Sequence, residues 1–432
     1  MTGGLGIVND VQKLLDETPM SRAQWTAVAI IGLLSALDGY DVLAMTFAAP
    51  GVSKEFGIDK AELGIALSSG LAGMALGSFF VAPLGDRYGR RFVVLFSLVL
   101  MGVGMLMSAF AGSVATLSGW RIFTGIGIGA LIPVIAPLAA EFANSQHRRF
   151  AMAVMSVGYP LGGTLGGLAA AALLQHFSWH IIFLIGAGAA LLLLAASLLW
   201  LPEPPAFLLA KRPTNALDKL NDFLRRCGKP PVSSLPAPAA LLKSASSYAE
   251  IFGPSRRADT ISITAVNVLF MTSVYYILSW MPQLVADIGH SASFATLASA
   301  MAACAGVVAS LALGIWGKFI PLRWLVVCQT TGLAAAIVAF GLASHGVAVL
   351  LMLAALVGTF LYTSILGLYS AIVETFDPDV RSTGVGFVMG AGRIGAAITP
   401  AVAGALFQAG MGRESVSAVL SLGALMAAGI MI

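Results

Sequence analysis

Residues 61–112 read AELGIALSSGLAGMALGSFFVAPLGDRYGRRFVVLFSLVLMGVGMLMSAFAG, two apolar runs parted by a short loop that crowds Asp86, Arg87, Arg90 and Arg91 together. An apolar run of about 20 residues is what a helix needs to cross roughly 30 Å of hydrocarbon. Two such runs joined by a charged loop therefore read as a helical hairpin across a bilayer. Working outward, the same pattern recurs at 24–49, 61–82, 92–112, 116–140, 150–173, 179–200, 259–286, 292–316, 322–343, 346–373, 382–408 and 415–432. The chain reads as an all-α integral membrane protein of twelve transmembrane helices. The last span reaches Ile432, so it ends flush with the membrane or continues in a longer chain.

Composition agrees. Of 432 residues 58% are hydrophobic and 10% charged, whereas a soluble domain carries about a quarter charged residues. A soluble enzyme is thereby excluded. The 48 glycines fall inside the apolar runs without a three-residue period. Cys227, Cys304 and Cys328 are too few and too scattered for a disulfide framework or a zinc site, so neither metal nor cofactor is expected. The net charge of +4 lies in the loops and does not point to nucleic acid.

Those loop charges set the orientation. Residues 1–23 are polar, with no signal-peptide core, which leaves the N-terminus on the side of synthesis. Within them Ile7, Val8, Val11, Leu14 and Leu15 follow helical spacing and predict a short surface helix breaking near Pro19. With the start inside, 19 of the 24 Lys and Arg fall on the cytoplasmic side and only Lys54, Lys60 and Arg413 outside. Positive charge marks the cytoplasmic side, so both termini are expected in the cytoplasm and the protein in the cell (inner) membrane.

Residues 201–257 form the only long polar stretch, with a short helix expected around 215–226. They divide a six-span bundle over 24–200 from another over 258–432, after an N-terminal segment of 1–23. One offset of 233 residues superimposes Glu141 on Glu374, Arg148 on Arg381, Arg90 on Arg323 and Gly162 on Gly395. Two six-helix pseudo-repeats related in parallel are the architecture of many secondary transporters, whose site lies between the halves near the midplane.

The loop Ala82-Pro-Leu-Gly-Asp86-Arg87-Tyr-Gly89-Arg90-Arg91 resembles the signature Gly-x-Leu-x-Asp-Arg-x-Gly-Arg-Arg of the major facilitator superfamily, with Ala82 in place of Gly. Its second-half counterpart, Gly314 to Arg323, is degenerate and lacks the Asp. Arg121-Ile-Phe-Thr-Gly125-Ile-Gly127-Ile-Gly129 is similar to another superfamily signature, and Leu201-Pro-Glu-Pro-Pro-Ala-Phe-Leu208 to its Pro-Glu-Ser-Pro segment. Leu37-Asp38-Gly39-Tyr40-Asp41 in span 1 resembles the aromatic acid:proton symporters of this superfamily. Gly390-Ala-Gly-Arg393-Ile-Gly395 and Tyr275-Tyr-Ile-Leu-Ser-Trp280-Met-Pro282 are similar to that subfamily as well. The resemblance covers nearly the whole chain and implies the major facilitator fold.

Charges within spans are expensive and mark function by default. Asp38 and Asp41, three residues apart, share one face of span 1. Two carboxylates so close in low dielectric resist joint ionisation, which suits a proton carrier; the alternative is a permanent ion pair locking span 1 to a neighbour. Arg121 enters span 4 near the depth of Asp41 and, unable to shed its proton, would hold a facing carboxylate ionised. Arg393 sits near the midplane of span 11 with no acid at its level in that half. Its partner is then a substrate anion, or else Asp38 or Asp41 across the cavity, or backbone carbonyls. Tyr40, Tyr159, Tyr275, Tyr276, Tyr362, Tyr369 and Asn267 are candidates to stack on or hydrogen-bond a substrate ring, though most tyrosines in spans serve packing or the interface. Asp86, Arg87, Arg90, Glu141, Arg148, Glu374 and Arg381, at cytoplasmic helix ends, read as gating latches or as ordinary interfacial charge.

Together these features and the resemblance imply a proton-coupled importer of an aromatic carboxylate, working as a monomer in the lipid bilayer. The alternatives are a proton symporter of another organic anion or a sugar, and a drug:proton antiporter, although lipophilic cations would not suit Arg393. A membrane enzyme or receptor finds no nucleophile constellation, phosphate-cradling loop or signalling domain to support it.

Overall fold

A computed structural model describes residues 18–235, 248–316, 320–343, 346–377 and 380–432. The surface helix expected before Pro19, Lys318 and His345 lie outside the described residues, as does the side chain of Asp86.

Twelve long helices follow the twelve apolar runs. They are α1 (Arg22–Phe56), α2 (Lys60–Leu76), α3 (Arg90–Ala109), α4 (Val114–Phe142), α5 (Arg148–Leu173) and α6 (His180–Trp200) in the first half. The second half holds α7 (Arg257–Asp287), α8 (Ala292–Trp316), α9 (Leu322–Gly341), α10 (Val347–Thr375), α11 (Arg381–Gln408) and α12 (Arg413–Met431). Eleven, counting α2 with the π-helical turn Gly77–Val81 that continues it, are both long and apolar enough to cross a membrane. The other, α5, has the length, at 26 residues, but its glycines, Tyr159 and Pro160 dilute its apolarity. Those glycines are its packing surface.

The largest departure from the expected bounds is at α1. The reading stopped it before Pro50, but the helix continues through Pro50 to Phe56 and ends only where Gly57 turns left-handed (φ 61°). Proline lacks the N–H that would bond the carbonyl one turn back. In a bundle that loss is absorbed by packing, and Pro50 is buried.

Small residues set the helix crossings. A Cβ on Gly162 of α5 would sit 1.8 Å from the carbonyl oxygen of Ala36 on α1, and one on Gly395 of α11 would sit 2.9 Å from that of Val268 on α7. These are the two glycines superimposed by the 233-residue offset, and each lies where the first and fifth helices of its half cross. The internal repeat is therefore a repeat of packing as well as of charge.

The two halves meet along α1, α2 and α5 on one side and α7, α8 and α11 on the other. At the face remote from the basic loops they are joined by a Lys60–Asp287 ion pair at 2.5 Å. Ser68 Oγ accepts from the Ala401 amide at 2.9 Å, and Ser293 Oγ donates to the Ala171 carbonyl at 2.6 Å. That far face is closed.

Beneath the first half, the start of the central loop is structured. Short helices at Pro205–Lys211 and Ala216–Arg226 bury Leu208, Leu220 and Leu224 against each other. Phe223 lies 6.0 Å from Phe142 at the end of α4. The helix expected around 215–226 is present; the one before it was not foreseen.

Candidate functional site

The long α1 carries both buried aspartates to mid-bundle, where each is 0% exposed. Their surroundings differ sharply. Arg121 of α4, 2% exposed, places Nη1 2.6 Å from Asp41 Oδ1 and Nη2 2.9 Å from the Asp41 carbonyl oxygen. The ring of Phe183 on α6 backs the guanidinium, its centroid 5.6 Å away. This two-point grip confirms the depth match expected of Arg121 and Asp41, and places the pair wholly within the first half.

Asp38, one turn earlier, has no hydrogen-bond partner on either carboxylate oxygen among the described residues. The charge of Arg393, from α11 in the other half, reaches Asp38, Tyr159 and Tyr275. Tyr362 of α10 interacts in turn with Tyr159 and Tyr275. Among the described residues Arg393 makes no hydrogen bond or salt bridge. One carboxyl group, one guanidinium and three phenols from α1, α5, α7, α10 and α11 are thus within electrostatic reach of one another, with no hydrogen bond on Asp38 or Arg393 among the described residues.

Gly39 brings Tyr159 to this cluster. A Cβ on Gly39 would lie 1.9 Å from the Tyr159 carbonyl oxygen, so only glycine lets α5 approach α1 beside Asp38. On the other side, Gly392 accommodates Asn267, whose Nδ2 donates to the Val388 carbonyl at 2.8 Å and ties α7 to α11 next to Arg393. Its Oδ1 is buried without a partner. Between Arg121 and Tyr275 the free space is about 20 Å³, room for one water.

Three of the candidate rings are placed elsewhere. Tyr40 is buried inside the first half, its hydroxyl donating to the Ile182 carbonyl at 2.6 Å. Tyr276 is buried inside the second half, its hydroxyl 2.7 Å from Ser417 Oγ. Both hydroxyls are occupied in holding helices of one bundle together, a packing role. Tyr369 is 47% exposed and outside the cluster.

On the basic face, Arg90 and Glu141 form an ion pair linking α3 to α4. Glu203 belongs to the Leu201–Leu208 segment that follows α6. Its Oε1 accepts from the amides of Arg90 at 2.8 Å and Arg91 at 3.4 Å, capping α3. Gly89, at φ 108°, leaves room for that carboxylate, since a Cβ there would be 2.7 Å from it. Burial pushes the Glu203 carboxyl up, and the two amides partly oppose that. Arg87 stands 5.2 Å from the centroid of its neighbour Tyr88, and Arg148 is exposed.

The second half does not copy this arrangement. Arg381 Nε donates to the Phe376 carbonyl at 3.1 Å, and Glu374 is exposed and unbonded among the described residues. Arg323 instead donates to the Met431 carbonyl at 2.8 Å. An Arg256–Asp377 ion pair at 2.7 Å joins α7 to the end of α10. By the 233-residue offset Asp377 matches Asn144, whose Nδ2 donates to the Thr18 carbonyl at 3.0 Å. Each half thus ties the entry of its first helix to the loop between its fourth and fifth, with different chemistry.

Comparison with known proteins agrees with this architecture. The family model of the Major Facilitator Superfamily matches residues 29–284. The 4-hydroxybenzoate transporter PcaK of Pseudomonas putida is 31% identical over 90% of this chain and 87% of its own. The gallate transporter of Pseudomonas putida is 29% identical, over 97% of this chain and 93% of its own. The 3-(3-hydroxy-phenyl)propionate transporter of Escherichia coli (strain K12) is 28% identical, over 95% and 94%. Among solved structures, a bacterial homologue of the human lysosomal transporter Spinster superimposes with a TM-score of 0.73 at 15% identity, covering 96% of this chain and 97% of that one. A D-xylose-proton symporter does so with a TM-score of 0.71 at 17% identity, covering 94% and 96%. With twelve membrane helices in two matching halves and a polar cluster between them, the chain belongs to the major facilitator superfamily and is a membrane transporter, not an enzyme.

Proposed function

We propose that the protein imports an aromatic carboxylate together with a proton by alternating access. The observation that carries this reading is the Asp38–Arg393 cluster, an acid and an arginine from different halves, unbonded among the described residues and set near Tyr159, Tyr275 and Tyr362. A buried charge without a partner is costly. Asp38 is such a group; Arg393, partly buried beside it, keeps its proton, and a substrate carboxylate matches its planar fork. Tyrosine faces suit an aromatic ring, and the three relatives named above are transporters of aromatic acids.

The coupling follows from the same arrangement. Asp38 has two ways to relieve its isolation, a proton or the guanidinium of Arg393. When the substrate occupies Arg393, Asp38 is left with the proton. Anion and proton therefore load together, and the neutralised cluster lets the halves close and rock. Asp41 stays held by Arg121 within the first half and shapes the helix that carries Asp38.

In this reading the bundles over 24–200 and 258–432 rock about the cluster, linked by the loop over 201–257. The basic face is cytoplasmic and carries both termini at the inner membrane, and the protein works as a monomer. Arg90–Glu141, with Asp86, Arg87, Arg148, Glu374 and Arg381, governs the rate of rocking and not substrate affinity. The test is uptake of labelled solutes by protein-loaded liposomes under an imposed pH gradient. An aromatic carboxylate should accumulate unmodified when the outside is acidic. Accumulation of only a sugar, or of a lipophilic cation, would overturn the reading.

A further inference from the structure

A second site lies away from the central cluster, on the basic face where α6 leaves the membrane. There a cavity of about 160 Å³ opens between the start of α3, the end of α6 and the short helix Ala216–Arg226. Three cations line it from separate elements: Arg91 on α3, and Lys219 and Arg226 on the short helix. Arg91 Nη2 donates to the Leu198 carbonyl at 2.7 Å and Arg226 Nη1 to that of Leu199 at 3.4 Å, so both guanidinia are anchored to the end of α6 with donors to spare. Two carboxylates share the lining, and Glu203 is within electrostatic reach of Arg91 and Lys219. Glu203 accepts from the α3 amides, and Asp222 pairs with Arg225. None of the three cations has a salt-bridge partner among the described residues.

The wall beside these charges is apolar and faces outward. Leu198, Leu199 and Trp200 are 52%, 62% and 54% exposed at the end of α6. Phe92 and Phe96, stacked one turn apart, are exposed at the start of α3. The lining thus keeps an excess of positive charge beside an outward-facing apolar ridge at the end of α6, a combination that suits an amphiphilic anion. We propose that this pocket binds the headgroup of an anionic phospholipid, its phosphate among Arg91, Lys219 and Arg226 and its acyl chains along α3 and α6. Basic pockets at membrane-helix ends suit such headgroups. A free phosphate would use the cations but gain nothing from the ridge. Because the short helix is part of the pocket, the lipid pins the central loop to the first half. The proposal is independent of the transported substrate.

The test uses the full chain, purified and reconstituted with phosphatidylcholine alone or with phosphatidylglycerol added, and counts retained lipids by native mass spectrometry. Wild type should retain phosphatidylglycerol in preference to phosphatidylcholine. Lys219→Gln with Arg226→Gln, both exposed side chains, should weaken that retention roughly thirtyfold, about fivefold for each cation. Lys211→Gln with Lys229→Gln removes equal charge outside the pocket and should leave retention intact. Equal loss in both double variants would reduce the effect to general surface charge and overturn the proposal. Displacement of the lipid by excess inorganic phosphate would overturn it in favour of a free-phosphate site. Uptake of the aromatic acid by either variant bears only on the transport reading, so the two can fail separately.

Discussion

Asp38 and Asp41 stand one turn apart on the same helix, equally buried, and the structure treats them oppositely. Asp41 is gripped twice by Arg121 inside one half, whereas Asp38 has no hydrogen bond among the described residues and lies within the electrostatic reach of an arginine from the other half. A bond within a half survives any rocking of the halves. A charge balanced across the gap between them does not. Burial alone therefore does not distinguish the two aspartates; the half to which the neighbouring arginine belongs does, and the proposed coupling role of Asp38 rests on that difference.

Removing the arginines should expose that contrast most strongly. Arg121→Ala leaves the Asp41 carboxylate buried and unpaired and should cost about 3–5 kcal/mol of stability, read by thermal unfolding in detergent. Adding Asp41→Asn to it should restore a large part. Arg393→Ala breaks no bond seen in the structure and should leave stability within about 1 kcal/mol. Equal destabilisation by the two alanines would erase the distinction.

On binding the order reverses. Arg393→Ala should weaken the transported acid by about thirtyfold or more. Arg393→Lys keeps the charge but not the fork, and roughly a tenfold loss is expected. Titration of substrate quenching of the intrinsic fluorescence gives both values. Unchanged affinity in Arg393→Ala would move the anion site elsewhere.

Smaller effects belong to the basic and far faces. Glu203→Ala uncaps α3 and should cost about 1–2 kcal/mol. Glu203→Gln keeps the accepting oxygen and should be nearly neutral. Because burial holds the Glu203 carboxyl above the usual range, its charged form is the disfavoured one in the fold. Its contribution to stability therefore improves as pH falls through that raised value, and the Gln variant should lack this dependence. Lys60→Ala removes a half-exposed ion pair worth about 0.2–1 kcal/mol. It should shift the population with an open far face by at most about fivefold, as read by spin-label distances.

What the sequence disclosed follows from what is local in it. Span length and apolarity are properties of one stretch of chain, so the twelve helices could be read with bounds a few residues off, except where α1 runs on through Pro50. Counting helical rise from span ends placed Arg121 beside Asp41. Which way a side chain faces depends on how its helix is rotated in the bundle, which no single stretch records. That is why Tyr40 and Tyr276 read as candidate ligands and proved to be bundle ties. The repeat disclosed Glu141 and Glu374 as equivalents, yet among the described residues only Glu141 pairs with an arginine, because Arg323, the equivalent of Arg90, donates instead to the Met431 carbonyl. Glu203 stood in a quoted motif, but its role depends on the central loop folding back under α3, a contact across 113 residues.

The most direct test of the coupling claim compares Asp38→Asn with Asp41→Asn in liposomes, measuring accumulation of labelled 4-hydroxybenzoate, or whichever aromatic acid the uptake screen selects, on a pH gradient and its exchange without one. Asp38→Asn should still exchange substrate across the membrane but fail to concentrate it, since the cluster is then permanently neutralised. Asp41→Asn should lose both activities through the stranded Arg121. Accumulation by Asp38→Asn equal to wild type would contradict the account.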